Sequence, residues 1–276
     1  MIVVKIGGGA GLSLEACCDD VARLRAAGEQ VVVVHGGSDA ATRLGENLGY
    51  APRFITAPSG VQSRYTDART LEIFTMALAG LNADVVARLQ ARGVDAVGLS
   101  GADGRVLEGR RKETVVAVED GRRIVIRDDR SGTVERVNAS LLRALLAAGY
   151  IPVVSPPALS PDGPINVDAD RAAALIAVAL DADALLLLTN VPGLLRDRHD
   201  PTSLVSRVDG DGIDAALSLA AGRMRVKLLA ARAALDGGVE RVVIGDGRQD
   251  HPMTRALAGE GTTLSVTSRQ LAAVGA

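Results

Sequence analysis

Aromatic side chains are nearly missing from this sequence. Phe, Tyr and Trp together make up 2% of the chain, and Trp does not occur at all. The core must therefore be built mainly from Ala, Val and Leu. With 276 residues the chain can bury a substantial core, and its length fits one large α/β domain or two lobes.

Cysteine and histidine are scarce as well. The two cysteines, Cys17 and Cys18, are adjacent in a segment with helical spacing, where neighbouring side chains are poorly placed to pair. We expect both thiols to be reduced and structural. The three histidines are scattered and no metal-ligand spacing occurs, so we expect no metal ion held by protein side chains.

A strong net charge and long apolar runs are also missing. The formal net charge is −2 at pH 7, which argues against a general attraction to nucleic acid or to membrane surfaces. The apolar runs ALIAVAL and ALLLL are bounded by Asp and are too short to span a bilayer, and no secretory signal occurs. We therefore expect a soluble, cytoplasmic protein that binds neither nucleic acid nor membrane.

Residues 2–11 combine an apolar strand, one lysine and a glycine-rich turn. Lys5 lies among apolar neighbours, and because a buried ammonium without a partner is costly, we expect it to meet an anion. Glycines such as Gly8 and Gly9 allow backbone N–H groups to converge on phosphate oxygens. The alternative is an ordinary tight turn between strand and helix. The run matches neither the P-loop nor the dinucleotide-binding fingerprint, so a phosphate site here needs a different architecture.

A second glycine turn follows the next strand along the chain. Residues 31–34 are four valines, and Gly36 and Gly37 come directly before a segment with helical spacing. The free N–H groups of a helix N-terminus attract anions, so this turn is a second candidate anion site. Two ordinary strand-to-helix turns remain the alternative.

An arginine stands just before the longest helical segment. Thr66 or Asp67 can cap a helix that runs to about Arg92, and Arg64 precedes that cap. A guanidinium at this place suits a bidentate grip on a substrate carboxylate, although most single arginines simply lie on the surface.

Residues 105–137 form the most basic part of the chain. Their alternating pattern predicts two or three strands, with turns at residues 119–121 and 131–132. This insert is a candidate docking face for an acidic partner, and a solvated hairpin is the alternative.

Three polar side chains, Asn166, Asp168 and Asp170, stand between two apolar elements at the start of a helical segment. An exposed N-cap would account for one carboxylate, which the helix dipole tolerates, but not for all three polar side chains.

Further on, residues 190–193 form a turn after a buried strand and suit a nucleotide base or ribose. Lys227 lies in the first turns of a later helix.

These motifs occur in the order and spacing of a known family. They are VKIGGG, VVHGGS, SRYTD with TLEIF, INVDAD, TNVPG, AGRMRVK and GEGTTL. Together they resemble the amino acid kinase superfamily and, within it, the acetylglutamate kinase branch. The segments PRFIT, SRYTD, GLSGADGR, EGRRK and SPPALS are similar to those of kinases that act on 2-aminoadipate or glutamate held by a LysW-type amino-group carrier protein. The resemblance covers nearly all of residues 1–266.

The resemblance implies a fold and a division of the chain. The fold is a three-layer αβα sandwich around a mostly parallel open sheet, with a β-hairpin insert. Residues 1–268 would form a single amino acid kinase domain, with an acyl-acceptor lobe at 1–163 and a nucleotide lobe at 164–268. Residues 269–276 would be a flexible tail, and the family expectation is a homodimer.

The resemblance also implies an activity: ATP-dependent phosphorylation of a side-chain carboxylate on a carrier-bound amino acid, which gives an acyl phosphate in lysine- or arginine-type biosynthesis. Mg²⁺ would arrive with ATP, and the basic insert would receive the acidic surface of the carrier. The implied residue roles are catalysis by Lys5, Lys227 and Asp170; substrate binding by Gly36, Gly37, Arg64 and Asn166; ATP binding by Gly8, Gly9, Asn190, Gly193 and Met224; and carrier docking by Arg110, Arg111 and Lys112.

Three alternatives stay open. The acceptor could be free N-acetylglutamate, or a different carrier-bound amino acid in a specialised pathway. The protein could also be a non-catalytic sensor, against which the retention of both lysines and the aspartate argues. The chain departs from its relatives at Asn82-Ala83, where they usually carry Asn-Lys, and this bears on subunit pairing or substrate fit.

Overall fold

A computed structural model describes residues 1–265 of the chain. The expected flexible tail, residues 269–276, and the last residues of the expected domain, 266–268, lie outside this range.

Residues 1–265 form sixteen strands, eight α-helices and two short 3-10 turns. The strands are β1 (Ile2–Ile6), β2 (Val31–His35), β3 (Phe54–Thr56), β4 (Gln62–Arg64), β5 (Ala96–Ser100), β6 (Leu107–Arg111), β7 (Val115–Glu119), β8 (Arg122–Ile126), β9 (Gly132–Val137), β10 (Ile151–Ser155), β11 (Ala158–Ser160), β12 (Gly163–Ile165), β13 (Ala184–Thr189), β14 (Arg207–Asp209), β15 (Arg241–Asp246) and β16 (Thr262–Ser265). The helices are α1 (Leu14–Ala26), α2 (Ser38–Asn47), α3 (Ala68–Gln90), α4 (Ala139–Ala147), α5 (Ala169–Ala179), α6 (Ile213–Leu219), α7 (Gly222–Asp236) and α8 (Pro252–Leu257).

One large sheet runs through the molecule in the order β14-β16-β15-β13-β1-β2-β10-β5. The strands from β15 to β5 are parallel to one another, whereas β16 is antiparallel to β15 and β14 is parallel to β16. The sheet is therefore mostly parallel, and the expected fold class is confirmed. In such sheets ligands bind beyond the carboxyl ends of the strands, where the turns after β1 and β2 lie side by side.

Helices cover both faces of this sheet. One apolar cluster joins it to α4, α5, α6 and α7, and a second cluster joins it to α1, α3 and α8. Strand β1 serves both clusters because successive side chains of a strand point to opposite faces. Ile2, Val4 and Ile6 face α1, α3 and α8, whereas Val3 faces α5 and α7. Lys5 shares the face of Val3, so the strand directs this lysine toward α5 and α7.

The basic insert folds differently from the sequence prediction. It contains four strands: β6 pairs with β9, and the hairpin β7–β8 is nested between them. The turn at residues 119–121 is a hairpin turn, with Asp120 and Gly121 both at positive φ. Residues 131–132 are not a hairpin turn, because Gly132 already begins β9 and pairs with Arg111 on β6. The prediction of two or three strands was wrong. An alternating pattern shows that strands are present, but it does not show which strands pair, so the β7–β8 hairpin between β6 and β9 was not recognised.

Helix α3 is the longest helix, and its N-cap is Asp67, whose side chain accepts a hydrogen bond from Thr70 N at 2.7 Å. Among the described residues, α3 is also the one helix with the length and composition that would allow it to cross a bilayer. One side of it is buried, however, through residues such as Leu78, Val85 and Leu89, as in the core helix of a globular domain.

Candidate active site

Two lysines share one buried carboxylate at the carboxyl end of the sheet. Lys5 Nζ lies 2.8 Å from Asp170 Oδ1, and Lys227 Nζ lies 2.8 Å from Asp170 Oδ2 and 3.0 Å from Oδ1. All three residues are less than one-tenth exposed. Strand β1, helix α5 and helix α7 each supply one member. The sequence prediction had grouped these three residues, and the structure brings them together.

The charges of this cluster do not balance within it. Burial raises the pKa of the Asp170 carboxyl, but the two ammonium groups outweigh burial and hold that pKa below its usual range. Burial and then the neighbouring Lys5 ammonium lower the pKa of Lys227, and Asp170 opposes them. A single carboxylate can compensate only one of two buried cations, so the cluster favours a further anion.

Asp168 is the next carboxylate along the chain. It caps α5 by accepting a hydrogen bond from Arg171 N at 2.9 Å, and it remains in contact with solvent. Surrounding protein and then the neighbouring Asp170 raise the pKa of Asp168. Its charge acts on Lys5 and Lys227, but it forms no ion pair with either ammonium group, so Asp170 is their direct counter-charge.

The two glycine turns pack backbone against backbone. Gly36 N donates to Ile6 O at 3.0 Å, and Asp39 N donates to Gly8 O at 2.8 Å. A methyl group on Gly8 would lie 2.3 Å from Gly37 N, so only glycine fits there. The N–H groups of Gly8 and Gly37 have no acceptor among residues 1–265. They are free to bind an anion between the turns.

Arg64 is buried beside the second turn. Its Nη2 donates to Ser38 O at 2.9 Å and to Thr42 Oγ1 at 2.8 Å, and its guanidinium lies over the Phe54 ring. No carboxylate contacts Arg64 within the described range. Burial and then the nearby Arg223 guanidinium lower the pKa of Arg64. A buried guanidinium that meets only neutral groups and another cation is well suited to bind a substrate carboxylate.

Asn166 joins the same region through partners that the sequence did not reveal. Its Nδ2 donates to Thr66 Oγ1 at 3.1 Å, two residues after Arg64. The buried Asp129 accepts hydrogen bonds from Thr66 N at 2.9 Å and from Ser131 N at 2.7 Å. Asp129 therefore ties the basic insert to the segment that carries Arg64. No local sequence pattern predicts this hydrogen bond, because Asp129 and Thr66 are 63 residues apart.

Apart from Gly8 and Gly9, the expected nucleotide-binding residues lie just after β13 and at the start of α7. Asn190 is exposed, and its Nδ2 would lie 3.8 Å from a methyl group on Gly9. Met224 is half-buried in the first turn of α7 and packs against the core. Gly193 is required for a different reason: a methyl group there would lie 2.6 Å from Thr262 Oγ1. Its role in this structure is close packing.

The whole arrangement fits a known family. A sequence model of the Amino acid kinase family matches residues 1–246. The chain belongs to the amino acid kinase family. The resemblance read from the motifs is thereby confirmed.

Several members of the family are similar over nearly the whole chain. A LysW-aminoadipate kinase of Deinococcus radiodurans is 53% identical, over 96% of this chain and 91% of its own length. A LysW-aminoadipate kinase of Thermus thermophilus is 49% identical, over 96% of this chain and all of its own length. An acetylglutamate kinase of Moorella thermoacetica is 38% identical, over 91% of this chain and 85% of its own length.

Solved structures show the same fold. The N-acetylglutamate synthase of Neisseria gonorrhoeae, complexed with coenzyme A and N-acetyl-glutamate, superposes with a TM-score of 0.78 at 27% identity. The match covers 97% of this chain and 59% of the synthase chain. The carbamate kinase of Giardia lamblia bound to AMP-PNP superposes with a TM-score of 0.66 at 16% identity, over 96% of this chain and 98% of its own.

The basic residues expected to dock a partner lie on β6 and just after it. Arg110 is exposed and pairs with Glu135 at 3.2 Å, and Lys112 is exposed. Arg111 differs from both, because its guanidinium donates to the carbonyl oxygens of Asp129 and Arg127, each at 2.8 Å. In this amino acid kinase Arg111 holds the insert together, so of the three residues expected to dock a partner only Arg110 and Lys112 are exposed.

A buried polar network lies on the opposite face of the sheet from the lysines. Asn82 Nδ2 is 3.0 Å from His35 Nε2 and donates to Val153 O at 3.0 Å. His35 Nδ1 is 3.0 Å from Gly36 O. The sequence reasoning noted the Asn82-Ala83 departure but missed this network, which joins residues 47 positions apart. Ala83 itself lies on the exposed side of α3.

The close approach of the glycine turns makes a testable difference between neighbouring glycines. Gly8→Ala places a methyl group against the Gly36–Gly37 backbone, and we expect it to lower the free energy of unfolding by about 1–3 kcal/mol. Gly9→Ala meets its nearest atom at 3.8 Å, so we expect a change below about 0.5 kcal/mol. Urea unfolding of both variants measures the difference. Equal losses in the two variants would contradict the packing described here.

Proposed function

We propose that this protein is an ATP-dependent kinase that phosphorylates the side-chain carboxylate of 2-aminoadipate or glutamate while the amino group is held by a LysW-type carrier protein. The observation that carries the proposal is the pair of buried ammonium groups on Asp170, next to two glycine turns with free N–H donors. The names of the Deinococcus and Thermus relatives support the carrier-bound acceptor.

The chemistry suits this set of groups. A carboxylate oxygen attacks the γ-phosphorus of ATP, a new P–O bond forms, and the bond to the ADP oxygen breaks. The acceptor is already ionised at neutral pH, so no general base is needed. The reaction brings anions together, and catalysis depends on positioning and on dispersed positive charge. Lys5, Lys227 and the N–H groups of Gly8 and Gly37 supply that charge on the protein side.

The donor set fits the phosphates of ATP, since the free N–H groups and the excess ammonium charge both attract oxygen anions. Residues 1–265 contain no group of three or more His, Cys, Asp or Glu side chains that could hold a metal ion. We propose that Mg²⁺ would enter with the nucleotide rather than be held by protein side chains, and that it would neutralise part of the phosphate charge. We propose that Asn190 and Met224 line the nucleotide and that Arg64 and Asn166 hold the acceptor.

We propose that the carrier docks on the basic insert. Arg110 and Lys112 are exposed on the insert, and Asp129 connects it to the Arg64 segment. An acidic carrier would be attracted to this surface before its bound amino acid enters the cleft.

We propose a homodimer in the cytoplasm. The outer side of α3 exposes a row of small or apolar residues, namely Met76, Ala79, Gly80, Ala83 and Ala87. Such a row lets a second helix approach closely, and it adds to the hydropathy of α3. Cys17 and Cys18 are buried and unpaired, which fits a reducing compartment.

A second candidate acceptor is free N-acetylglutamate, favoured by the acetylglutamate kinase among the relatives. The phosphoryl-transfer groups are the same for both acceptors. The difference lies in whether the basic insert contributes to binding.

The acceptor is decided by turnover. We expect ADP formation with carrier-linked aminoadipate or glutamate to exceed that with free N-acetylglutamate by at least about 100-fold in kcat/KM, because docking supplies additional binding energy. A coupled ADP assay with the three acceptors, each in the presence of MgATP, measures this ratio. A rate on free N-acetylglutamate equal to the carrier-linked rate would assign the protein to the second candidate.

Substitution of the two lysines distinguishes a kinase from a protein that only binds the nucleotide. We expect Lys5→Met and Lys227→Met each to lower kcat by at least about 100-fold while the Kd of ATP changes much less, since the ammonium groups act most strongly on the transferring phosphoryl group. Kinetics and calorimetric ATP titration of each variant give the two quantities. Arg143→Met, which removes an exposed cation paired with Asp181, is the control. Equal losses of kcat and of ATP affinity would favour a binding role.

Docking on the insert is tested without Arg111, because that residue has a structural role. We expect Arg110→Gln combined with Lys112→Gln to raise the KM of the carrier-linked acceptor about tenfold and to flatten its dependence on salt, with kcat unchanged. Arg143→Gln combined with Arg255→Gln removes two ion-paired surface arginines elsewhere and serves as the matched control. Identical KM values for the two double variants would remove Arg110 and Lys112 from the docking surface.

A further inference from the structure

The network around His35 has a defined arrangement of protons. Val153 O can only accept a hydrogen bond, so the Asn82 atom beside it is the amide nitrogen, Nδ2. The same Nδ2 faces His35 Nε2, which must then accept. The neutral imidazole therefore carries its proton on Nδ1, where it donates to Gly36 O at 3.0 Å. Only this tautomer of the neutral ring satisfies all three hydrogen bonds.

The surroundings keep the ring neutral. His35 is 1% exposed, and burial lowers its pKa to about 4, with the Lys5 ammonium acting in the same direction and the Gly36 carbonyl opposing. Of the described groups around the ring, Lys5 on β1 supplies charge, whereas α3, β10 and the Gly36 turn supply the Asn82 amide and two carbonyl dipoles. A second proton on Nε2 would also face the N–H of Asn82.

The hydrogen bond to Gly36 O decides where the next N–H group points. In a planar trans peptide the C=O and the following N–H point in opposite directions. Because the imidazole holds Gly36 O on its side, the N–H of Gly37 points the other way. The same peptide packs against Gly8, where an added methyl group would lie 2.3 Å from Gly37 N and 2.7 Å from Gly36 C. Two successive glycines resist rotation of this peptide only weakly, so an outside constraint matters.

The protein also makes room for the constraint. A methyl group on Gly98 of β5 would lie 2.0 Å from Asn82 Oδ1. Only glycine at this position of β5 leaves space for the Asn82 amide. Around the network the core is apolar, with Val33, Val85 and Val153 among its members. Two polar side chains in such a core stabilise the fold less than apolar side chains of similar size. Their presence here therefore points to a purpose other than stability.

We propose that His35, with its tautomer set by Asn82, is a positioning residue that fixes the Gly36–Gly37 peptide so that the Gly37 N–H faces the anion in the cleft. The inference rests on the proposed function, since it assigns His35 to the site of phosphoryl transfer. It adds to that site a component on the far face of the sheet.

The first experiment measures kinetics with the carrier-linked acceptor. We expect His35→Leu to lower kcat/KM for the acceptor at least tenfold with a smaller change in the KM of ATP, because the peptide loses its constraint. His35→Asn, which keeps an amide donor near Gly36 O, should recover part of the loss. Asn82→Leu leaves the tautomer free and should give an intermediate loss. A folded His35→Leu or Asn82→Leu enzyme with wild-type kinetics would overturn the proposal.

Asn82→Asp reverses the hydrogen-bond direction at Nε2 and gives a result that packing alone would not. The carboxylate favours a proton on Nε2, so the Nδ1 donor survives only while the ring is doubly protonated. We therefore expect kcat/KM of Asn82→Asp to fall as pH rises through the raised imidazole pKa, in a range where the wild type shows no such step. A pH profile parallel to that of the wild type would contradict the proposal.

The proton arrangement is observable without turnover. The chain has three histidines, so ¹⁵N-histidine labelling gives few ring signals, and we expect one neutral ring protonated on Nδ1 that does not titrate above about pH 5. Loss of its fixed tautomer in Asn82→Leu would support the role of the amide. An Nε2–H tautomer in the wild type would overturn the inference. If instead the ring behaves as expected but no acceptor is turned over, the proposed function fails and not the proton arrangement.

Discussion

The structure depends on one contact, the sharing of the Asp170 carboxylate by two ammonium groups. Lys5 arrives on a central strand, Asp170 at the start of α5, and Lys227 in the second turn of α7. Such a cluster is stable only when the geometry is tight, because desolvation of three charges costs several kcal/mol per ion. The same constraint that sets β1, α5 and α7 relative to one another thus also leaves an excess positive charge for a substrate anion.

The choice of lysine at these positions is specific. Of the 31 basic residues only three are lysines, and two of these are the buried pair. An ammonium is compact and places its charge at one point, whereas a guanidinium is a planar fork that spans two oxygen atoms. Two ammonium groups can therefore approach one carboxylate and still face a phosphate. The forked Arg64 stands instead where a carboxylate would be held, beside the second glycine turn.

Much of this arrangement was predictable because it is carried by local patterns. The strand β1 with its lysine, the two glycine turns and the Asp67 cap all follow from short-range sequence signals. The nested strands of the insert did not, since strand pairing depends on partners distant in the chain. The hydrogen bonds of Arg111, Asp129 and the His35–Asn82 pair were equally hidden. Each joins residues whose separation leaves no periodic or compositional trace.

The phosphoryl-transfer groups cannot by themselves choose an acceptor. In the proposed reaction the lysine ammonium groups and the backbone N–H groups would contact only a phosphate and a carboxylate, which both candidate acceptors present. Discrimination must come from the part of the acceptor beyond its carboxylate, and on this chain that part would meet Arg64, Asn166 and the insert. Asp129 makes these a single unit, because it bonds Thr66 in one segment and Ser131 in the other. A partner that binds the insert would therefore act on the same backbone that orients Arg64, and the proposed function would couple recognition of the carrier to placement of the carboxylate.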